Sequence, residues 1–150
     1  MKEIYYTYNN EALSSCIFLS ILSKTDKLEM GIAPLILPFL LDDRSVNYIN
    51  NVEDSDISLN LLIEQQPRLF TSFNQRFLSL LPVMINSLMI LKQSGQIEIG
   101  THIEARNSIL LKDDNLGERY TKIEKAIPAV LYMFSLLSIS ELYSLLKIQL

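Results

Sequence analysis

The sequence predicts a mainly α fold: one compact helical domain, residues 1–150, carrying one β-hairpin. Three observations lead there. Apolar residues recur at three- and four-residue steps through residues 67–94 and again through 118–137, the period of a helix with one buried face. The period then switches to strict alternation at Gln96-Ile97-Glu98-Ile99, directly after Gly95. The chain has 150 residues, 49% of them hydrophobic, with only 4 Gly and 5 Pro, which suits one packed core and argues against a flexible linker.

The first helix is expected from about Asn10 to Lys24, where Leu13, Cys16, Ile17 and Leu19 to Leu22 form a broad apolar face and Asn9 or Asn10 offers a side-chain cap. Gly31 to Leu41 is apolar all round. Pro34 suits the first turn of a helix and Pro38 is expected to kink or tighten it. A segment apolar on every face is buried either in its own core or under a partner. Asp42 to Asp56 is polar, with a short helix around Val46, Tyr48 and Ile49 and a solvated turn at Glu53-Asp54-Ser55-Asp56. Leu59, Leu61 and Leu62 open another helical or extended piece.

From Pro67 the pattern is clearest: Phe70, Phe73, Phe77, Leu80 or Leu81, then Met84. Pro82 is expected to divide this stretch into helices 67–80 and 82–94, with Gly95 as the left-handed cap of the second. The hairpin is expected to pair Gln96–Ile99 with a return strand Ser108–Leu111, turning between Gly100 and Asn107. After a loop at Asp113–Gly117, a long helix should span 118–137, bent at Pro128. Ser138-Ile139-Ser140-Glu141 has the spacing of a capping box and should start a last helix from Ile139 to about Lys147. Helix, helix, hairpin, helix is the order of a winged-helix-like module, and also of helical proteins with an incidental hairpin.

Composition and motifs exclude several function classes. Net charge is −4, which does not favour a phosphate-seeking surface. The one cysteine, Cys16, allows no internal disulfide and fits a reducing cytoplasm. The longest apolar run, Met30 to Leu41, falls short of the roughly 20 residues of a membrane span, so no membrane role is expected. No Gly-rich phosphate cradle is present. Cys16 lies in an apolar helix, where a thiol is a small hydrophobe. A single histidine, His102, cannot make a zinc site with one distant cysteine. Asp54 and Asp56 lack the glycine and glutamate that complete a calcium loop. No catalytic residue, cofactor or metal ligand is therefore expected. Arg106, Lys112, Arg119 and Lys122 are the candidate DNA contacts, although Glu98, Glu104, Asp113, Asp114, Glu118 and Glu124 dilute their field.

Four segments together resemble a known family: Asn10-Glu11-Ala12-Leu13; the proline-punctuated Pro34-Leu35-Ile36-Leu37-Pro38-Phe39-Leu40-Leu41; Gln66-Pro67-Arg68-Leu69-Phe70 with Arg76 and a helix ending in Gly95-Gln96-Ile97; and the close from Ile139 to Leu150. In this order they are similar to the middle component of three-component ABC systems, the group that includes the small subunit of Lamassu-type defence. The family often has Asn-Pro where this chain has Asn10-Glu11. The resemblance implies a subunit without chemistry of its own. It would join a structural-maintenance-type ABC ATPase to an effector, often a nuclease, in a hetero-oligomer that meets phage or plasmid DNA as a whole.

A mean hydropathy of +0.21 independently points to apolar surface covered by a partner. The excess is concentrated in Met30–Leu41 and the two C-terminal helices, and the aromatic anchors nominated there are Phe39, Tyr132 and Tyr143. The competing reading is a winged-helix DNA-binding regulator. The expected helix 82–94 offers it only Asn86, Lys92 and Gln93.

Overall fold

A computed structural model describes residues 2–52, 57–106 and 117–149, with side chains from Asn10 onward. The chain is mainly helical. In order come α1 (Lys2–Lys24), β1 (Lys27–Glu29), α2 (Ala33–Leu40), α3 (Asp43–Asn51), α4 (Leu59–Gln65), a 3-10 turn at Pro67–Leu69, α5 (Phe73–Gln93), β2 (Ile97–Ile99), β3 (His102–Ala105), α6 (Gly117–Ser135) and α7 (Ile139–Leu145).

The core is built around α2. Ala33 and every residue from Leu35 to Leu40 are buried, and Pro34 sits in the first turn, where its missing N–H costs nothing. Pro38 lies inside this short helix without ending it, because the only intrahelical bond it forfeits is the one to the carbonyl of Pro34. α1 and α2 pack on α5, and α3 packs on α6. Phe39 is the aromatic centre. It meets Phe70, Phe73 and Phe134 edge-on at centroid distances of 5.9, 6.2 and 5.9 Å.

The turn between α2 and α3 is fixed by charge. The Asp42 side chain caps α3 by accepting from the Ser45 N–H at 3.3 Å and the Ser45 hydroxyl at 2.6 Å. It also faces the Arg76 guanidinium at 3.4 Å. Arg76 in turn donates to the Leu69 carbonyl at 2.9 Å and lies over the Phe73 ring. One carboxylate thus joins α3 to α5. At the other end, Ser138 and Glu141 form the expected capping box and start α7, which turns 107° from α6.

Several sequence expectations are corrected. Asn9 and Asn10 do not cap α1, which runs through them from Lys2; a capping preference is a weak prior against a helix that packs on α5. Pro82 does not divide α5. Both Pro82 and the residue whose carbonyl it frees, Leu78, are exposed, so water can satisfy that carbonyl. Phe73 and Phe77 before the proline, and Met84, Leu88 and Leu91 after it, hold one buried face throughout. Gly95 closes the helix at φ +76°, with the Gln96 N–H donating to the Leu91 carbonyl at 2.9 Å.

The hairpin begins where expected, but its return strand is His102–Ala105, after a turn at Gly100–Thr101; the expected strand 108–111 lies outside the described residues, as do the turn at 53–56 and the loop at 113–116. The hairpin also has a third member. β1 pairs antiparallel with β3, giving the order β1-β3-β2, with Leu28 opposite Ile103 and Ile99 on the other side. Leu28, Ile97 and Ile103 are buried, while Lys27, Glu29, Glu98 and Glu104 face outward. Among the described residues, no single helix is long and apolar enough to cross a membrane.

Candidate partner interface

The structure separates the three nominated anchors. Phe39 is fully enclosed and is a core residue, not a partner contact. Tyr143 is half-buried: its ring meets Phe77 edge-on at 6.0 Å and its hydroxyl donates to the Gly31 carbonyl at 2.7 Å. Burial pushes its phenol pKa up. Its polar end is already used within the chain, and only part of the ring is open to solvent. The reason Phe39 is enclosed is geometric: α5, α3 and α6 pack against α2, so the segment that looked too apolar for its own domain is absorbed by it.

Tyr132 is different. It is 49% exposed near the end of α6, and Leu136, just beyond the helix, is 51% exposed. Tyr132 borders a groove of about 760 Å³ between the end of α1, β1 and the α6–α7 elbow. The groove has apolar walls at Leu28, Ile32, Leu131 and Leu137, with Lys24, Lys27 and Glu29 as its charged lining. An aromatic ring half in water beside an apolar groove is the usual form of an interface anchor.

The candidate DNA contacts are dispersed and paired. Arg106 faces Glu98 at 3.8 Å, and Lys122 faces Glu118 at 3.9 Å. Arg119 is committed more firmly, bonding Asp43 at 3.2 Å and the Leu41 carbonyl at 3.1 Å. Lys112 lies outside the described residues. Arg106, Arg119 and Lys122 thus each already face a carboxylate, and a phosphate would have to displace it.

His102 is half-buried, with Nδ1 3.2 Å from the Thr101 hydroxyl. Burial raises the Cys16 thiol pKa, the opposite of what activates a thiolate. One cluster was missed by the sequence reading, because its members are far apart in the chain. Lys24 Nζ donates to Ser20 Oγ at 2.8 Å, and Ser20 Oγ donates to Glu124 at 3.4 Å. Tyr120 lies beside them, its phenol pushed up to about 12 chiefly by burial. Serine and lysine in contact can form a nucleophile pair, but Ser20 is fully buried and a substrate carbonyl does not reach it in this fold. Among the described residues, no three of His, Cys, Asp and Glu converge as a metal site.

The sequence reading also missed an apolar stripe on the outer face of α5, at Leu78, Pro82, Ile85 and Met89. The signal was present: steps of four, three and four residues, opposite the buried series. The sequence reading followed only the series through Phe73, Phe77 and Met84 and gave these positions no role.

Comparison with known proteins adds one match. The family model described as ABC-three component (ABC-3C) system Middle Component 3 matches residues 2–150. No curated protein and no solved structure matches the chain.

Proposed function

The chain belongs to the Middle Component 3 family of ABC-three component systems, and from that premise we propose that it is a non-catalytic adaptor. It joins an ABC ATPase of the structural-maintenance type to an effector subunit of nuclease class, in a Lamassu-type cytoplasmic defence against phage or plasmid DNA. The observation that carries this reading, beyond the family itself, is the exposed pair Tyr132 and Leu136 beside the groove at the α6–α7 elbow. Such a surface gains from being covered.

The expected result is that the chain co-elutes with the ATPase in size-exclusion chromatography, and that Tyr132→Ala with Leu136→Ala weakens the complex by about 10-fold or more. A chain that never co-elutes with the ATPase or the effector would overturn the adaptor role.

A winged-helix DNA-binding regulator is the second reading, and the strand order β1-β3-β2, with the hairpin directly after α5, favours it. The outer face of α5 weighs against it, since Leu78, Pro82, Ile85 and Met89 stand where a reading helix needs polar donors. Titration with duplex DNA at two salt concentrations separates the readings. Phosphate contact gives salt-dependent binding by the isolated chain, whereas an adaptor acquires DNA only through its complex.

The absence of a chemical role has its own test. His102→Ala and Cys16→Ser, in complexes that assemble normally, are expected to retain defence in a plaque assay. Loss of protection in either folded complex would put chemistry back on this subunit.

A further inference from the structure

We propose that the free edge of β1 takes up an extended segment of the ABC ATPase subunit, which lies in the elbow groove as a fourth strand antiparallel to β1. The inference rests on the adaptor reading above and names the form in which the partner enters. β1 is an edge strand in the order β1-β3-β2. The groove of about 760 Å³ is lined by all three residues of β1 and by none of β2 or β3, so it runs along the edge that β3 leaves open.

Backbone donors select the occupant. The Met30 N–H donates to the Thr101 carbonyl at 3.1 Å. Hydrogen-bonded pairs alternate along an antiparallel ladder, so Leu28 is the next residue to bond β3, at Ile103. Lys27 and Glu29 therefore aim their N–H groups away from β3, and neither has an acceptor among the described residues. The two donors stand about 7 Å apart along the strand. The carbonyls of the same residues are each held once, by the Thr25 hydroxyl at 3.3 Å and the Ile32 N–H at 3.0 Å, and keep a second lone pair. A helical partner cannot satisfy such a pair, because its carbonyls are bonded within the helix. An extended backbone presents carbonyls at this repeat, and adding it to a sheet edge is a recurrent mode of peptide recognition.

The shape of the groove agrees. Its far wall is the α6–α7 elbow, with Leu131 and Leu137. A second copy pairing through its own β1 would bring its own elbow against this one, so a segment one strand wide enters and a whole sheet edge does not. With strands about 4.8 Å apart, about 10 Å of depth and about 3.4 Å per residue, four residues of strand occupy about 650 Å³, within the volume available. A residue opposite Leu28 shares the buried face of the sheet and is apolar. Residues opposite Lys27 and Glu29 share the outer face, where an acidic and a basic side chain complete the pairs. In antiparallel order the segment reads basic, apolar, acidic. Tyr132 and Leu136, assigned above to the ATPase contact, border the same groove and its elbow, and that continuity makes the ATPase the source of the segment.

The test is residue-resolved hydrogen exchange of the full chain, alone and in complex with the full-length ATPase. Complex formation is expected to slow exchange at the Lys27 and Glu29 amides by about 10-fold or more, while Leu28, already bonded to Ile103, changes less. Lys27→Pro removes one outward donor without touching the β3 ladder, as an edge strand tolerates, so its thermal unfolding should stay close to that of the unaltered chain. It should raise the dissociation constant for the ATPase by about 10-fold or more, because a partner carbonyl is left unpaired. Lys27→Ala keeps the N–H and should change binding by less than about 3-fold, its ion pair with Glu104 being exposed. Exchange at the two amides decides the matter if Lys27→Pro does not fold. Binding to the ATPase with both amides unprotected, or a folded Lys27→Pro variant that binds as tightly as the unaltered chain, overturns the fourth strand and leaves the adaptor role standing. So does protection that arises only with the effector, or that grows with the concentration of the chain alone, which marks a second copy. A chain that binds neither subunit overturns the strand and the adaptor role together.

Discussion

Phe39→Ala is expected to lower the unfolding free energy by about 3–5 kcal/mol, the largest effect of any single truncation in this fold. The ring is fully enclosed and meets three other phenylalanines edge-on. Its removal loses the transfer free energy of a phenyl group, leaves a cavity between α2, α5 and α6, and deletes the aromatic contacts. Neighbouring helices cannot close that space without moving their own buried faces. For a domain whose total stability is on the order of 5–15 kcal/mol, the loss is a large fraction of the whole. Urea denaturation of wild type and variant measures the difference. A loss below about 1 kcal/mol would mean that Phe39 is not enclosed as described. Tyr132→Ala supplies the contrast: at an exposed position it should change stability by no more than about 0.5 kcal/mol.

The second large effect concerns Asp42. Asp42→Ala removes the cap of α3, worth about 1 kcal/mol, and leaves the partly buried Arg76 guanidinium without its counter-charge. Stranding a half-buried cation adds to that loss, although residual solvent contact softens it, and the expected total is about 2–3 kcal/mol. Asp42→Ala combined with Arg76→Met should be less damaging than the sum of the single changes, because the pair is then replaced and not broken. A double-mutant cycle in urea gives the coupling. Strict additivity would show that the two side chains do not interact.

Most of the helical fold was legible from apolar period and local punctuation. Those signals act within a few residues, and they located α2, the core face of α5, the Gly95 cap and the Ser138–Glu141 capping box. What was not legible depends on residues far away in the chain. β1 contains one apolar residue between charges, so it has no alternating pattern to read; it is a strand because β3 supplies its hydrogen bonds. The continuity of α5 through Pro82 depends on which side of the helix faces water, which no local preference specifies. The three nominated anchors could not be told apart for the same reason. An aromatic residue in an apolar segment carries the same sequence signal whether it is enclosed, like Phe39, or half in water, like Tyr132. The apolar stripe of α5 was visible as spacing but went unread beside the core series, since a helix apolar on two faces gives no sign of which one is covered.

The pairing of β1 with β3 has a further consequence for the order in which the molecule can be assembled. β1 is made early, at residues 27–29, and its partner residues 102–105 come much later. On the ribosome, the segment after α1 therefore waits with unpaired backbone groups until α2 to α5 and β3 itself have been made. Closing so long a loop carries an entropic cost that only an already compact chain can offset. The sheet should then form after the local helices, and its amides should gain protection later than those within α1 and α5 in pulse-labelled hydrogen exchange during refolding. Until that moment, Leu28, Ile97 and Ile103 have no shared apolar face, and the nascent subunit offers a short sticky edge to whatever is near.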